Sequence, residues 1–452
     1  MTGKTDAVLK RAEEYIRTLE KPTLSGLLRR AKEDGKLLYQ PRCGVGGHRE
    51  MEACLVQLEE LAGPEVLSLT IDSHTRLKDF RTAREILETD PAKLNGYPLV
   101  AHGHHRGREL NRRVSAPLQI RHGSPDPRRL FDVSVLSGIT AFEGGPISYN
   151  LPYSKNFPLE DSLAAWEYVD TLCGAFETRG ISIDRELFGT LTGVLVPPSV
   201  SLAVSVLEAM LAAARGVRCI SIAYPQGGEI VQDVAALRCI DLVARKYLPG
   251  DVAIYPVLHE YMGPFPRDSV RADSLIFYGA LTARIGKATK IVTKTNHEAY
   301  GIPTVSANAE GIRTARMAEA SFLDFIEVDG ERVEEEAYWI QREVDEILFP
   351  VLQSADLATA IVDGFRAGHL DIPFSAARQA RSEILPLRDR SGAIRYQGAG
   401  ALNFSDSVKA RNRELLGGKV RRANVFEEML ASINHFANDM SHNNETTKGV
   451  LR

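Results

Sequence analysis

Short apolar runs alternate with longer amphipathic or apolar helical patterns along most of this chain. Nine of the runs have the composition and bounds of strands: Leu37–Arg42, Val66–Asp72, Tyr97–Gly103, Pro117–Gly123, Ile139–Gly145, Ile181–Leu187, Cys219–Pro225, Val252–His259 and Lys290–Thr295. The helical patterns between them include Asp161–Arg179, Ser199–Arg215, Ile230–Tyr247 and Ser269–Ile285. This alternation predicts parallel strands that are joined by crossover helices.

The predicted fold class is α/β, with a (β/α)₈ TIM-type barrel as its centre. Nine candidate strands compete for the eight places of such a barrel, and Tyr97–Gly103 and Ile181–Leu187 carry the weakest signals. A doubly wound open sheet is the alternative. It is less favoured because polar residues end nearly every run, whereas open sheets concentrate them at one switch point.

The predicted organisation has three parts. Residues 1–36 form an N-terminal helical arm, 37–306 the catalytic barrel, and 307–452 a mostly helical C-terminal extension that packs on the barrel or on a partner. Within the extension we predict helices over Ala309–Leu352, a loop-rich segment with short strands from Ile372 to Phe404, and a helix over Val425–Ala437. The polar tail from Ser441 is predicted to fray.

The composition is that of an ordinary globular chain. It has 452 residues, 44% hydrophobic and 25% charged, with a net charge of -4. That charge argues against nucleic-acid binding, which requires a basic surface. No apolar run has the length of a membrane span, and the first residues lack the apolar core of a signal peptide. We therefore expect a cytoplasmic protein.

The five cysteines are scattered, odd in number and without CxxC spacing. They predict reduced thiols in the cytosol: Cys43, Cys54, Cys173, Cys219 and Cys239. Cys43 follows Arg42, so it is either a reactive thiol or a small packing residue, and packing is the favoured interpretation.

Three arginines, Arg42, Arg76 and Arg121, stand near the ends of early predicted strands. Guanidinium groups stay charged and grip carboxylates in bidentate fashion. The three residues either form unrelated structural ion pairs or cluster to bind a substrate with two carboxylates. Spacing alone leaves these alternatives at equal weight, although Asp72 lies four residues before Arg76.

Glu143 ends another predicted strand and is followed by Tyr149 and Tyr153. Glu143 either binds an ammonium group or acts as a base, or it caps a turn or pairs with an arginine. The two tyrosines either donate hydrogen bonds to a substrate or simply pack. The histidines at 102, 104, 105, 122 and 297 lack metal-ligand spacing, so we expect no metal site. The chain also has no phosphate-binding loop and no nucleophile elbow.

From about Leu37 to Phe404 the chain resembles the large (epsilon) subunit of glutamate mutase, also called methylaspartate mutase. Ordered blocks carry this resemblance. They are Gln40–Arg42, Thr70–Arg76, Asn95–Pro98, the segment around Arg121, Phe142–Gly145, Ile147–Tyr153, Phe188–Pro198, Gln232–Ala236 and Lys294–Thr304.

The resemblance implies an isomerase, an intramolecular transferase built on a (β/α)₈ barrel. Its reaction is a radical rearrangement of (S)-glutamate to (2S,3S)-3-methylaspartate. Adenosylcobalamin is carried by a separate small (sigma) subunit that caps the barrel mouth, and two large subunits assemble with two small ones. A related mutase for another amino dicarboxylic acid and a catalytically silent dicarboxylate-binding barrel are the alternatives.

The resemblance also implies roles for individual residues. Arg42, Arg76 and Arg121 would hold the substrate carboxylates, with His122, Glu143, Tyr149 and Tyr153 completing the substrate site. The residues expected on the cofactor side are Gly44, Asn95, Pro152, Phe265, Lys294, Glu298 and Ile302. Among all of these, Glu143, Arg121, Lys294 and Glu298 are the candidate catalytic residues.

The chain departs from the family pattern at several positions. Ala101 stands where asparagine is usual, Glu260 and Tyr261 replace Gln-Trp, Pro264 replaces glycine, and Asn296 follows Lys294-Thr where proline is expected. Pro146 also replaces the third glycine after Glu143. Because the substrate positions are intact, glutamate remains the expected substrate.

Overall fold

Eight parallel strands form the centre of the protein. The computed structural model describes residues 3–190, 194–417 and 424–437. The strands are β1 Leu38–Gln40, β2 Leu67–Thr70, β3 Leu118–Arg121, β4 Ala141–Glu143, β5 Asp184–Leu187, β6 Cys219–Pro225, β7 Ala253–His259 and β8 Lys290–Val292. Their order in the sheet is β1-β8-β7-β6-β5-β4-β3-β2, and helices alternate with them. The predicted (β/α)₈ barrel is confirmed, and the open-sheet alternative is wrong.

Backbone hydrogen bonds join the two ends of this sheet, β1 and β2. The amide of Val66 donates to the carbonyl of Tyr39 over 3.3 Å, and the amide of Thr70 donates to the carbonyl of Cys43 over 2.9 Å. The second bond lies at the carboxyl ends of both strands. The segment after β1 is therefore fixed against β2 at the barrel mouth.

The helices follow the predicted alternation, and α10 and α11 have the predicted bounds. The set is α1 Gly3–Ile16, α2 Leu24–Asp34, α3 His48–Ala62, α4 Ser73–Arg76, α5 Phe80–Thr89, α6 Leu99–Arg113, α7 Arg128–Leu136, α8 Leu159–Glu177, α9 Pro198–Ala214, α10 Ile230–Tyr247, α11 Ser269–Ile285, α12 Val305–Arg316, α13 Gly330–Leu348, α14 Leu357–Ala367, α15 Asp406–Leu415 and α16 Val425–Ile433. Short 3₁₀ turns lie at Pro91–Lys93, Met317–Glu319 and Ser321–Leu323.

Tyr97–Gly103 is the ninth strand candidate, and the prediction that it forms a strand is wrong. Tyr97 makes one isolated parallel bridge with Ile71, and Pro98 then begins α6. Proline has no amide hydrogen for a strand ladder but is tolerated at a helix start. The helix is interrupted at Gly103, which has φ +79°. The other weak candidate, Ile181–Leu187, contains the genuine strand β5.

Helix α2 closes the amino end of the barrel. Leu24, Leu28 and Ala31 on one face of α2 are buried. They pack in one cluster with Leu38 of β1 and other residues at the amino ends of the strands, Val66, Ala141, Cys219 and Tyr255. Apolar burial of this kind stabilises the docked helix. The amino end is filled by this cluster, so a substrate has to reach the barrel interior from the carboxyl end.

The barrel interior holds a buried ionic network. Lys290 donates to Glu186, and both side chains have no exposed surface. His259 Nε2 lies 2.9 Å from the second oxygen of Glu186. Burial raises the pKa of a carboxyl group, but Lys290 and His259 outweigh it and hold the pKa of Glu186 well below its usual range. Gln40 and Gln119 complete the network around the Lys290 ammonium. This network forms a polar floor below the barrel mouth.

The C-terminal part packs on the outside of the barrel. Helix α13 contacts α9 and α10, and α14 contacts α8. Strands β9 Ile384–Arg388 and β10 Ile394–Ala399 form an antiparallel pair, within the segment predicted to hold short strands. The predicted boundary at 306/307 falls inside α12, which packs on α3 and α11. The division into three parts stays a prediction, and the tail from Ser441 lies outside the described residues.

Within the residues that the structure describes, none of the helices combines the length and hydropathy that a bilayer span needs.

Candidate active site at the carboxyl ends of the strands

The charged residues singled out in the sequence lie at one rim of the barrel. Arg121 and Glu143 are the last residues of β3 and β4, and Arg42 follows β1. Arg76 ends the short helix α4, which begins after Asp72. The Asp72 carboxylate accepts a hydrogen bond from the Thr75 amide over 2.9 Å and so caps α4. All four elements place their side chains at the mouth, because carboxyl ends of parallel barrel strands share one face.

Arg121 and Glu143 form a buried ion pair. Arg121 Nη1 lies 2.9 Å from Glu143 Oε2, with side chains 6% and 1% exposed. The alignment of these two atoms does not make a hydrogen bond, so the contact is mainly electrostatic. Tyr149 donates its hydroxyl to the other Glu143 oxygen. Burial raises the pKa of Glu143 to about 7, despite the attraction of Arg121. This carboxyl group is therefore poised to gain or lose a proton near neutrality.

Arg42 and Arg76 form no ion pair with any described residue, which distinguishes them from Arg121. Burial, followed by repulsion from Arg121, lowers the pKa of Arg42, although a guanidinium stays protonated at physiological pH. The Nε atom of Arg76 is buried without a hydrogen-bond partner. Asp72 forms no ion pair with Arg76: one of its oxygens caps α4, and the other is buried without a hydrogen-bond partner. The mouth thus contains two guanidinium groups that have no ion-pair partner among the described residues.

His122 is a neutral donor at this mouth. Its Nδ1 atom accepts from the Ser124 amide over 3.0 Å, so the proton resides on Nε2. Burial, with repulsion from Arg185 and Arg76, holds the pKa of His122 well below its usual range. The ring stacks on Trp166 at a centroid distance of 5.7 Å. Nε2 lacks an aligned hydrogen-bond partner and can donate to an anion.

Tyr149 and Tyr153 lie on the loop after β4. Tyr149 is 1% exposed, whereas Tyr153 is 46% exposed. Burial of its hydroxyl, reinforced by Glu143, raises the pKa of Tyr153 to about 12. The positive charges of Arg42, Arg76 and Arg121 each act to lower the pKa of this same hydroxyl. The Tyr153 ring therefore lies at the surface while its hydroxyl faces the three guanidinium groups, which brings the predicted cluster together.

Further polar groups at the mouth were missed in the sequence. Thr70 Oγ1 at the end of β2 and His259 Nδ1 at the end of β7 are buried without a hydrogen-bond partner. Phe188, just after β5, packs edge-on against both Tyr149 and His259. Unpaired buried polar atoms are uncommon in native proteins, and these two add hydrogen-bonding capacity to the mouth. Their position at strand ends was the available signal.

A cavity of about 490 Å³ opens beside Arg42. Its wall includes four of the seven residues that were predicted on the cofactor side, namely Gly44, Asn95, Glu298 and Ile302. A Cβ atom at position 44 would lie 2.5 Å from the Thr70 carbonyl oxygen, so only glycine fits there. Asn95 accepts from the Ser73 amide over 2.9 Å, which fixes its side chain.

Lys294 extends the site from the segment after β8. Its Nζ atom lies 2.7 Å from Glu298 Oε2. Burial, together with repulsion from Arg42, lowers the pKa of Lys294 to about 8, although Glu298 opposes the shift. Pro152 and Phe265, the remaining predicted cofactor residues, are buried near the mouth on the loops after β4 and β7, outside the lining of the cavity.

Except for Ala101, the departures from the family pattern follow strands at the barrel mouth, and Pro146 comes three residues after the end of β4. Glu260 and Tyr261 follow β7 at the mouth, where Tyr261 donates to the Ile433 carbonyl over 3.0 Å. Pro264 lies on the same loop, and Asn296 Nδ2 contacts Asp273 over 3.4 Å. Ala101 lies on α6, not on a third strand. The structure gives no reason for the alanine at that position.

The described residues contain no cluster of three or more His, Cys, Asp or Glu side chains that could hold a metal ion. His102 instead contacts the Gly46 carbonyl through Nε2 over 2.9 Å and stacks on Tyr97.

Fold and site together define a (β/α)₈ barrel protein with a cationic pocket at the carboxyl ends of its strands. The family model of the methylaspartate mutase E chain (MutE) matches residues 20–439, and the chain belongs to this family. It is 43% identical over 411 residues to the glutamate mutase epsilon subunit of Halobacterium salinarum, covering 90% of this chain and 85% of that protein.

Two further relatives carry the same name. The glutamate mutase epsilon subunit of Desulfitobacterium hafniense is 41% identical over 431 residues, covering 93% of this chain and 89% of the relative. That of Escherichia coli O157:H7 is 38% identical over 447 residues, covering 96% and 92%. This chain is accordingly a mutase subunit of the isomerase class, and the name epsilon subunit implies a complex with other subunits.

Proposed function

We propose that this chain is the catalytic subunit that interconverts (S)-glutamate and (2S,3S)-3-methylaspartate. The observation that carries the proposal is that Arg42 and Arg76, which form no ion pair with a described residue, lie beside the buried Arg121–Glu143 ion pair. Burying charge without a partner is costly, so a ligand that supplies two negative groups is favoured at this mouth. The family membership supports the same substrate.

Glutamate matches the charges of the site group by group. Its two carboxylates pair with the guanidinium groups of Arg42, Arg76 and Arg121, and its ammonium pairs with the carboxylate of Glu143. The neutral His122 adds an Nε2 donor for a carboxylate, and the hydroxyl of Tyr153 faces the same cluster. A substrate with one carboxylate would leave one guanidinium without a counter-charge. We therefore expect selectivity for amino dicarboxylic acids.

Adenosylcobalamin is the cofactor that the family implies, and the residues present fit its adenosyl portion. The cavity beside Arg42 combines a glycine that cannot carry a side chain, Gly44, with the exposed apolar side chain of Ile302. The Lys294–Glu298 pair offers charged partners for ribose hydroxyls. Gly44, Asn95, Ile302, Lys294 and Glu298 would hold this group, with Pro152 and Phe265 farther along the mouth.

The chemistry that adenosylcobalamin supplies when bound is a carbon-centred radical that removes a hydrogen atom from the substrate. The chain itself binds and orients the substrate. Arginine forks fix both carboxylates, which restricts the reacting carbon to one position. The barrel wall and the Glu186–Lys290 floor exclude water from below. With the mouth covered, a reactive substrate radical is protected from side reactions.

We propose that the cover is the cobalamin-binding small (sigma) subunit, in a heterotetramer with a homodimer of large subunits. Exposed apolar residues around the mouth support a docked partner. Leu77, Tyr300 and Ile302 are 71%, 69% and 68% exposed, respectively. The sequence lacks the DxHxxG signature of a cobalamin-binding module, since Asp72–Leu77 has leucine where glycine is required.

The test is conversion of isotopically labelled glutamate, followed by NMR, in three mixtures with adenosylcobalamin. They contain this chain alone, a glutamate mutase small subunit alone, and both. We expect 3-methylaspartate only from the complete mixture. Turnover by this chain alone would refute the need for a partner. Turnover of a different amino dicarboxylic acid but not glutamate would support the related-mutase alternative, and saturable glutamate binding without turnover in the complete mixture would support the silent barrel.

A further inference from the structure

Two of the five cysteines lie together at the wall of the mouth cavity. Cys43 directly follows Arg42, and Cys54 lies on α3. Both belong to the lining of the cavity of about 490 Å³, although they are only 7% and 9% exposed. Cys173, Cys219 and Cys239 are buried elsewhere in the fold. Only one pair of thiols among the described residues therefore faces this space.

The two thiols interact directly. A hydrogen bond from the Cys43 thiol lowers the pKa of Cys54. The same hydrogen bond, together with burial, holds the pKa of Cys43 well above its usual range. The Cys43 sulfur also lies 3.0 Å from the Ser68 carbonyl oxygen. Cys43 has one thiol proton, so at a given moment it donates this proton either to the Cys54 sulfur or to the Ser68 carbonyl oxygen. Cys54 is thus the more readily ionised member of the pair.

We propose that Cys43 and Cys54 form an oxidisable thiol pair, which a peroxide converts into a disulfide that impairs ligand binding at the mouth. The two side chains line the same cavity and lie within hydrogen-bonding reach of each other. A disulfide requires such an approach, since side chains that cannot approach cannot be bridged. The cavity gives a small oxidant such as hydrogen peroxide a route to the sulfurs. A packing role alone would not require two thiols to meet at a cavity wall.

The reaction runs in two steps that balance with one peroxide. The Cys54 thiolate attacks one peroxide oxygen, the O–O bond breaks, and the departing hydroxide takes up a proton to leave as water. Cys54 is then a sulfenic acid. The Cys43 sulfur attacks the Cys54 sulfur, the S–O bond breaks, and the Cys43 proton leaves with the hydroxide as a second water. The two thiols lose two electrons in total, and the peroxide gains them.

The position of Cys43 connects this bond to the proposed substrate site. Its carbonyl accepts the Thr70 amide where β1 meets β2, and its thiol lies against Ser68. A disulfide removes the thiol proton and reorients the Cys43 side chain toward α3. Arg42, the preceding residue, has no ion pair to hold it in place. We therefore expect the guanidinium of Arg42 to shift from its position at the mouth.

The first measurement needs neither cofactor nor partner. The native full-length chain is treated with hydrogen peroxide, free thiols are blocked, and the digest is analysed by mass spectrometry. We expect a Cys43–Cys54 linked peptide pair that is lost after reduction, and absent from Cys54→Ser and Cys43→Ser variants. Exhaustive treatment that leaves both thiols free, or that yields only sulfinic or sulfonic acids at these positions, would overturn the proposal.

The second measurement rests on the proposed function and uses the complex with the small subunit. Each protein is compared with its own untreated sample. Peroxide should lower kcat/KM for glutamate by about tenfold or more, and a dithiol should restore it. Cys54→Ser should retain its untreated activity, while Cys239→Ser should respond like wild type, since serine keeps a donor for the Ala337 carbonyl. Equal, irreversible inactivation of wild type and Cys54→Ser would refute the functional effect.

Discussion

Arg121 and Glu143 are paired because of the register between two neighbouring strands. Ile120 of β3 lies opposite Phe142 of β4, so the next residue on each strand enters the mouth from the same side. Their side-chain atoms meet at 2.9 Å in a buried setting. A substrate carboxylate that reaches Arg121 competes with Glu143, and an ammonium that reaches Glu143 competes with Arg121. An amino acid supplies both groups at once, so neither charge is left alone.

Glu143→Gln should keep its fold and lose most turnover. The pKa of Glu143 is raised to about 7, above that of an unfolded glutamate. As pH rises from about 4.5 to 7, the unfolded state releases its proton before the folded state does, so this group lowers stability. Glutamine removes that penalty, and thermal unfolding at neutral pH should show an unchanged or higher Tm.

The same Glu143→Gln variant should show a kcat/KM for glutamate at least about a hundredfold lower in the complex, because the substrate ammonium loses its counter-charge. Glu88→Gln, an exposed change on α5, serves as the control and should have wild-type activity. An unstable Glu143→Gln protein with near-normal specific activity would show that Glu143 holds the fold and not the substrate.

Arg121→Lys should weaken the enzyme although the charge is retained. Lysine lacks the planar fork that fixes a carboxylate in two-point contact. We expect a loss of about 2–4 kcal/mol in kcat/KM, measured by steady-state kinetics in the complex. Arg395→Lys is the matched control, since Arg395 is also buried but pairs with Glu336 and Asp389 in the C-terminal part. The control should lose stability and keep its KM, and threefold or smaller changes for Arg121→Lys would assign that residue a structural role.

Gly44→Ala should destabilise the closure of the barrel. The added Cβ would approach the Thr70 carbonyl oxygen to 2.5 Å, and this is backbone that cannot rotate away. We expect a loss of about 1–3 kcal/mol in the free energy of unfolding. Denaturant unfolding measures it, with Gly250→Ala as the control, because no atom lies within 4 Å of a Cβ at that position. Equal stability of the two variants would contradict the close approach of Gly44 to β2.

Glu260→Gln should make the protein more stable at neutral pH. Glu260 is 1% exposed, and burial holds its pKa well above the usual range even though the Lys294 amide donates to it. The folded state therefore keeps a proton that the unfolded state releases as pH rises above about 4.5, and stability falls over that interval.

Glutamine at position 260 retains an acceptor for the Lys294 amide and has no proton to lose. Its advantage over wild type should grow between about pH 5 and pH 7 in denaturant titrations. Glu334→Gln, an exposed change on α13, should show no such trend. A constant difference between Glu260→Gln and wild type across this pH range would mean that Glu260 is ionised in the folded protein.

The sequence by itself determined the alternation of strands and helices and the position of charged residues at strand ends. Local periodicity sufficed for α10 and α11, whose bounds agree with the prediction. It failed at Tyr97–Gly103, where an apolar run resembles a strand but Pro98 removes an amide hydrogen and begins a helix. Whether the segment becomes a strand depends on pairing with a neighbouring strand, and the local sequence pattern carries no information about that pairing.

Only the tertiary structure decided which arginine is neutralised. Sequence proximity suggested Asp72 as a partner for Arg76, yet Asp72 caps α4, while Arg121 pairs with a glutamate on the next strand. Thr70 and His259 likewise acquired significance only when closure of the barrel left their polar atoms buried without hydrogen-bond partners. Charge balance and burial depend on contacts between strands that lie far apart along the chain. The barrel creates those contacts, and so it decides which of the sequence's charged residues remain free for a ligand.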